Sequence, residues 1–165
     1  MQRIFRVLGL AMAMVTGTVF AQTCASPYPL LADKTITLDT STAANTLTMI
    51  GAVSSPGPDV VYSFVAAPNL AASSQLVIYN ANFNWAVFLT TSCAVSATIV
   101  QTVDGGGGVQ SGNLPLNDGG NPLLSGQRYY VIVTGNPNLS TDLSGVISMT
   151  TAKPLPVTLQ AFSVR

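Results

Sequence analysis

Beyond residue 34 the apolar side chains recur at alternate positions, as in Thr35-Ile36-Thr37-Leu38, Val60-Val61-Tyr62-Ser63-Phe64-Val65 and Gln75-Leu76-Val77-Ile78-Tyr79. A period of two sends successive side chains to opposite faces of an extended chain, whereas a helix needs a period of 3.6. The pattern therefore restricts this part of the chain to strands. Further strands are expected at Asn84 to Thr90, Thr98 to Val103, Arg128 to Val133, Gly145 to Thr150 and Val157 to Val164, all rich in β-branched and aromatic residues. Between them lie Ser54-Ser55-Pro56-Gly57-Pro58, Gly105 to Gly108, Asn117 to Pro122 and Gly135-Asn136-Pro137-Asn138, which combine residues that accept positive φ with residues that fix a bend. About eight to ten short strands at this spacing predict an antiparallel β-sandwich. Where the alternation lapses into continuous apolar runs, burial between two sheets is the expected cause.

The first residues follow a different logic. Arg3 and Arg6 precede an uncharged run from Val7 to Phe20 that ends at Ala21. A basic start, an apolar stretch and a small residue at the cut predict a cleavable signal-peptide helix over residues 1–21, with Gln22 as the new N-terminus. The run is roughly 14 residues long, against the roughly 20 needed to span a hydrocarbon core, so no transmembrane segment is expected in the mature chain. Residues 22–153 are then the sandwich and residues 154–165 a C-terminal strand or tail. The expected location is secreted, extracellular or cell-surface, with the periplasm as an alternative.

Export bears on the two cysteines, Cys24 and Cys93. A pair in an oxidising compartment predicts a disulfide, which would restrict the unfolded chain by about 4 kcal/mol. The alternatives are two free thiols, or a lipid anchor at Cys24. The anchor fits poorly, because Gln22-Thr23 rather than a small residue precede that cysteine.

Charge narrows the partners. Charged residues make up 7 % of the chain, against about a quarter in ordinary soluble domains. The mature part keeps Lys34, Arg128, Lys153 and Arg165 against six aspartates. It carries no basic cluster of the kind nucleic acid requires. Low charge also weakens the repulsion that keeps surfaces and sheet edges apart, which leaves self-association open. The partner is otherwise expected to be an extracellular protein or polysaccharide.

Catalysis is not expected, and no catalytic residue is assigned. The chain has no histidine and no glutamate, so the side chains most often used as proton shuttles near neutral pH are missing. A hydrolase would have to rest on aspartates alone. No cofactor is expected, although hard cations take oxygen ligands from loops, and Asp59, Asp104 and Asp118 are the candidate calcium ligands. The glycine run at Gly105 to Gly108 lacks the lysine and helix start of a phosphate cradle and is read as a hairpin loop. Trp85 is expected in the core, as aromatics within an apolar strand usually are, and a ligand-stacking platform on an exposed face is the alternative. The tail from Leu155 to Arg165 completes its own sheet or pairs with a neighbouring subunit's edge.

Several motifs occur together in one order. Pro58-Asp59-Val60-Val61-Tyr62-Ser63-Phe64 resembles the opening strand of the bacterial pre-peptidase C-terminal domains. Phe83-Asn84-Trp85-Ala86-Val87-Phe88-Leu89 resembles their "FDTVLYL" strand, and Cys93 falls where a cysteine often follows. Asp104-Gly105-Gly106-Gly107 resembles their "DDGGG" turn, and Gly126 to Val133 resembles their "GTYYIVV" strand. The resemblance runs from about Asp59 to Thr150 and implies a jelly-roll-like sandwich acting as an accessory domain in binding, secretion or stability. Asn84 and Val103 stand where that pattern has aspartates, so the resemblance speaks for the fold rather than for a cation site.

Overall fold

The computed structural model describes residues 23–40, 43–55, 57–68, 70–79, 81, 85–105, 111–118, 121–135 and 144–151. The expected signal peptide and the C-terminal strand at Val157 to Val164 lie outside the described residues. Among those described, every regular element is a strand. Five strands are two residues long: β1 (Tyr28–Pro29), β3 (Met49–Ile50), β4 (Val53–Ser54), β10 (Asn117–Asp118) and β11 (Asn121–Pro122). The longer ones are β2 (Lys34–Asp39), β5 (Asp59–Val65), β6 (Gln75–Tyr79), β7 (Trp85–Thr90), β8 (Ile99–Asp104), β9 (Gly112–Pro115), β12 (Arg128–Gly135) and β13 (Ser144–Thr150).

Two sheets dominate. One has the order β1-β5-β12-β7-β8 and the other β2-β13-β6-β9. All pairings are antiparallel except that of β1 with β5. Alternate residues of both sheets meet in one core: Val60, Tyr62 and Phe64 of β5 and Val131 and Val133 of β12 face Leu76 and Ile78 of β6 and Ile147 and Met149 of β13 in the same apolar cluster. The fold is thus all-β and β-sandwich-like.

The continuous apolar runs have a cause different from the one expected. The inward residues of β5, β7 and β12 meet the opposite sheet, but their outward residues Val61, Phe88 and Ile132 are buried too. They sit in a second cluster with Leu47 and Ile50, which belong to the segment connecting β2 to β5. That segment folds back as the β3–β4 hairpin, paired Met49 to Ser54 and Ile50 to Val53. Gly51 takes φ +59° in its turn, a region that favours glycine. The Gly51 N–H donates to the Val95 carbonyl at 2.8 Å, tying the hairpin to the loop after β7. The five-stranded sheet is therefore covered on both faces, and its central strands read as apolar without alternation.

Cys24 and Cys93 are joined by a disulfide across 69 residues, with a Cα–Cα distance of 5.4 Å. Both pack against this outer cluster. With its sulfur committed to Cys93, Cys24 has no thiol to carry a lipid thioether, which removes the anchor alternative. The bridge fixes the N-terminal segment four residues before β1, where the Leu30 N–H donates to the Ser63 carbonyl at 2.8 Å.

Candidate functional site

Asp59 opens β5 and is 3 % exposed. Its Oδ2 accepts the Thr46 N–H at 3.0 Å and the Leu47 N–H at 2.7 Å, and its Oδ1 accepts the Ser55 hydroxyl at 3.3 Å. The Asp59 N–H itself donates to the Ala44 carbonyl. Burial pushes the carboxyl above its ordinary value, while hydrogen bonds from Leu47, Thr46, Ser55 and Thr134 pull the other way. One carboxylate thus satisfies backbone donors that the hairpin segment would otherwise bury unpaired.

Asp104 ends β8 and Asp118 lies in the β10–β11 hairpin, both with exposed side chains. Among the described residues no group of three or more His, Cys, Asp or Glu side chains is arranged to hold a metal ion. Asp59, Asp104 and Asp118 are not brought together in such a group.

Trp85 is 2 % exposed and lies in the core between the sheets. Its ring is withdrawn from solvent, as a place in the core requires, and the alternative of an exposed stacking platform is not met. The indole also explains two glycines: a Cβ at Gly105 or at Gly112 would collide with it. The first glycine of the run at Gly105 to Gly108 therefore serves close packing, and Gly106 to Gly108 lie outside the described residues.

One concave feature had no signal in the sequence. Where the β1–β2 connection, the end of β5 and the end of β13 converge, a cleft of 270 Å³ opens. Leu30, Phe64, Leu70, Leu116 and Met149 line it and are buried. Leu31 and Val65, 59 % and 54 % exposed, line it as well, as does Thr151, the last described residue. Among the described lining residues every side chain but that of Thr151 is apolar and none is charged. Such a cleft can take apolar side chains, and among its described lining residues Thr151 alone carries a polar side-chain group. Its residues come from four distant stretches, so no local motif could have announced it.

These features define a disulfide-bonded, β-sandwich-like chain with an apolar cleft. No family model matches it, and no curated protein or solved structure matches it either. No helix among the described residues is long and apolar enough to cross a membrane.

Proposed function

We propose that the chain is an exported, non-enzymatic β-sandwich of jelly-roll type with a binding, adhesive or structural role outside the cytoplasm. The Cys24–Cys93 disulfide carries this reading, because such bridges persist in oxidising compartments and this one fastens the N-terminal segment to the sandwich. The strand order supports the jelly roll. The longer strands alternate between the two sheets along the chain, save that β8 follows β7 in the same sheet, and β13 returns to lie between β2 and β6. The motifs that resemble those of pre-peptidase C-terminal domains support the same reading.

Expression of the full precursor in a secreting host tests the address. The expected product begins at Gln22 and has no thiol reactive before reduction. A product that keeps residues 1–21, or one with two free thiols, would overturn the reading. Calcium at Asp104 or Asp118 is tested by melting the mature chain with the ion and with chelator, since a ligand bound only by the folded state raises apparent stability. An unchanged midpoint at about millimolar calcium dismisses the site.

A second reading is favoured by the cleft. Its apolar lining, with Leu31 and Val65 exposed, suits a self-assembling surface or filament subunit, for which the C-terminal strand is the candidate contact.

A further inference from the structure

We propose that the cleft beside Val65 binds an extended peptide of another protein in which one acidic residue stands between two apolar ones. The inference rests on the binding reading and names the class of partner. Backbone, charge and cavity carry it together. In the β5–β12 ladder the even-numbered residues of β5 bond to β12, and the Ala66 N–H continues the series by donating to the Gln127 carbonyl at 2.9 Å. The odd-numbered ones face the other way: the Asp59 N–H donates to the Ala44 carbonyl, and the Ser63 carbonyl accepts from the Leu30 N–H. The Val65 N–H and C=O share that outward direction. However, β1 stops at Pro29, and among the described residues no group completes the edge at exposed Val65. It is a short stretch of open sheet edge, of the kind that accepts an added strand.

The side chains around that edge specify what the strand carries. A residue set antiparallel and opposite Val65 exchanges both backbone bonds with it and points its side chain to the same face of the sheet. Arg128 lies on that face, directly opposite Val65 in β12. Its exposed guanidinium reaches across to β5, within 3.5 Å of the Ser63 hydroxyl oxygen, and meets no carboxylate among the described residues. An acidic side chain opposite Val65 supplies that missing charge. The peptide residues before and after it turn to the other face, where Leu30, Phe64, Leu70, Leu116 and Met149 line the cleft without a charge. Those two positions favour apolar side chains.

The test uses the full mature chain and a fluorescent peptide of sequence threonine-leucine-glutamate-leucine-threonine, acetylated and amidated, with binding read by anisotropy. Saturable binding is expected. The glutamine counterpart should bind about two- to fivefold more weakly, the worth of an exposed ion pair, and Arg128→Gln should erase that difference. N-methylation of the glutamate removes the bond it gives Val65 and should weaken binding by about tenfold or more. Leu31→Asp, at an exposed position on the rim, should weaken both peptides alike. No binding at about millimolar peptide, or equal binding of the N-methylated form, overturns the site; correct export and an intact disulfide would then leave the wider reading standing. Equal affinity for the glutamate and glutamine peptides overturns the acidic preference. Binding that appears only in a Leu159→Asp variant would make the chain's own tail the occupant, and affinity that falls as the protein is concentrated would make it a second copy. Either result overturns the proposal.

Discussion

Asp59 is a carboxylate held in the interior by the donors it serves, and its pH dependence follows from that position. Burial raises its folded-state value above the ordinary 3.8, so between the two values the native state holds more protons than the unfolded chain. Stability from this residue is then present at acid pH and is lost as pH rises through the folded value. Asp59→Asn has no such titration. The difference in melting temperature, wild type minus variant, should therefore fall as pH rises from about 3.8, and a flat difference would contradict the assignment. Asp59→Ala should cost about 2–4 kcal/mol in denaturant melts at acid pH, because the Thr46 and Leu47 N–H groups lose their acceptor, and this cost should shrink as pH rises for the same reason. Gly105→Ala is a test of another kind. Its Cβ meets the Trp85 ring, and overpacking of this sort should cost about 1–3 kcal/mol, with a change in tryptophan fluorescence as the ring shifts.

At the scale of elements, the β3–β4 hairpin and the disulfide act as one cover over the outward face of β5, β7 and β12. Cys24→Ser with Cys93→Ser should lower stability by about 2–4 kcal/mol. It should also speed hydrogen exchange in residues 43–55 more than in β6 or β13, because only the former pack with the bridge. Equal acceleration throughout would show that the bridge acts on the unfolded chain alone. The same cover accounts for what the sequence revealed and what it hid. β6 lies where its alternation places it, Gln75–Tyr79, and β5, β8, β12 and β13 fall within a residue or two of expectation. β9 escaped notice because Gly112-Asn113-Leu114-Pro115 holds one apolar side chain; it is a strand because it pairs with β6 and because Gly112 leaves room for Trp85. β3 and β4 are too short to show a period. The outer layer was invisible for a related reason. Continuous apolar runs report burial on two faces without saying what covers the second. Asp59 was visible as a carboxylate, but its role depends on Thr46, Leu47 and Ser55 meeting it in space. Trp85 was visible as an aromatic in an apolar strand, where a period alone does not separate a buried ring from an exposed one.

For the whole molecule, the disulfide changes how the chain answers a pull. Force applied at the N-terminus reaches Cys24 and crosses directly to Cys93, so the 69-residue separation between them is withheld from extension. At 3.3–3.6 Å per residue, that is about 230–250 Å of hidden length. Single-molecule stretching of the mature chain should show a contour shorter by this amount than the same chain stretched in a thiol reductant. An equal contour in both conditions would mean the bridge is not formed. The protected stretch contains β2, β5, β6 and most of the outer cover, so roughly the first half of the sandwich is bypassed as tension passes through it. That half of the backbone cannot be unravelled by a tether on the N-terminus while the bridge remains oxidised.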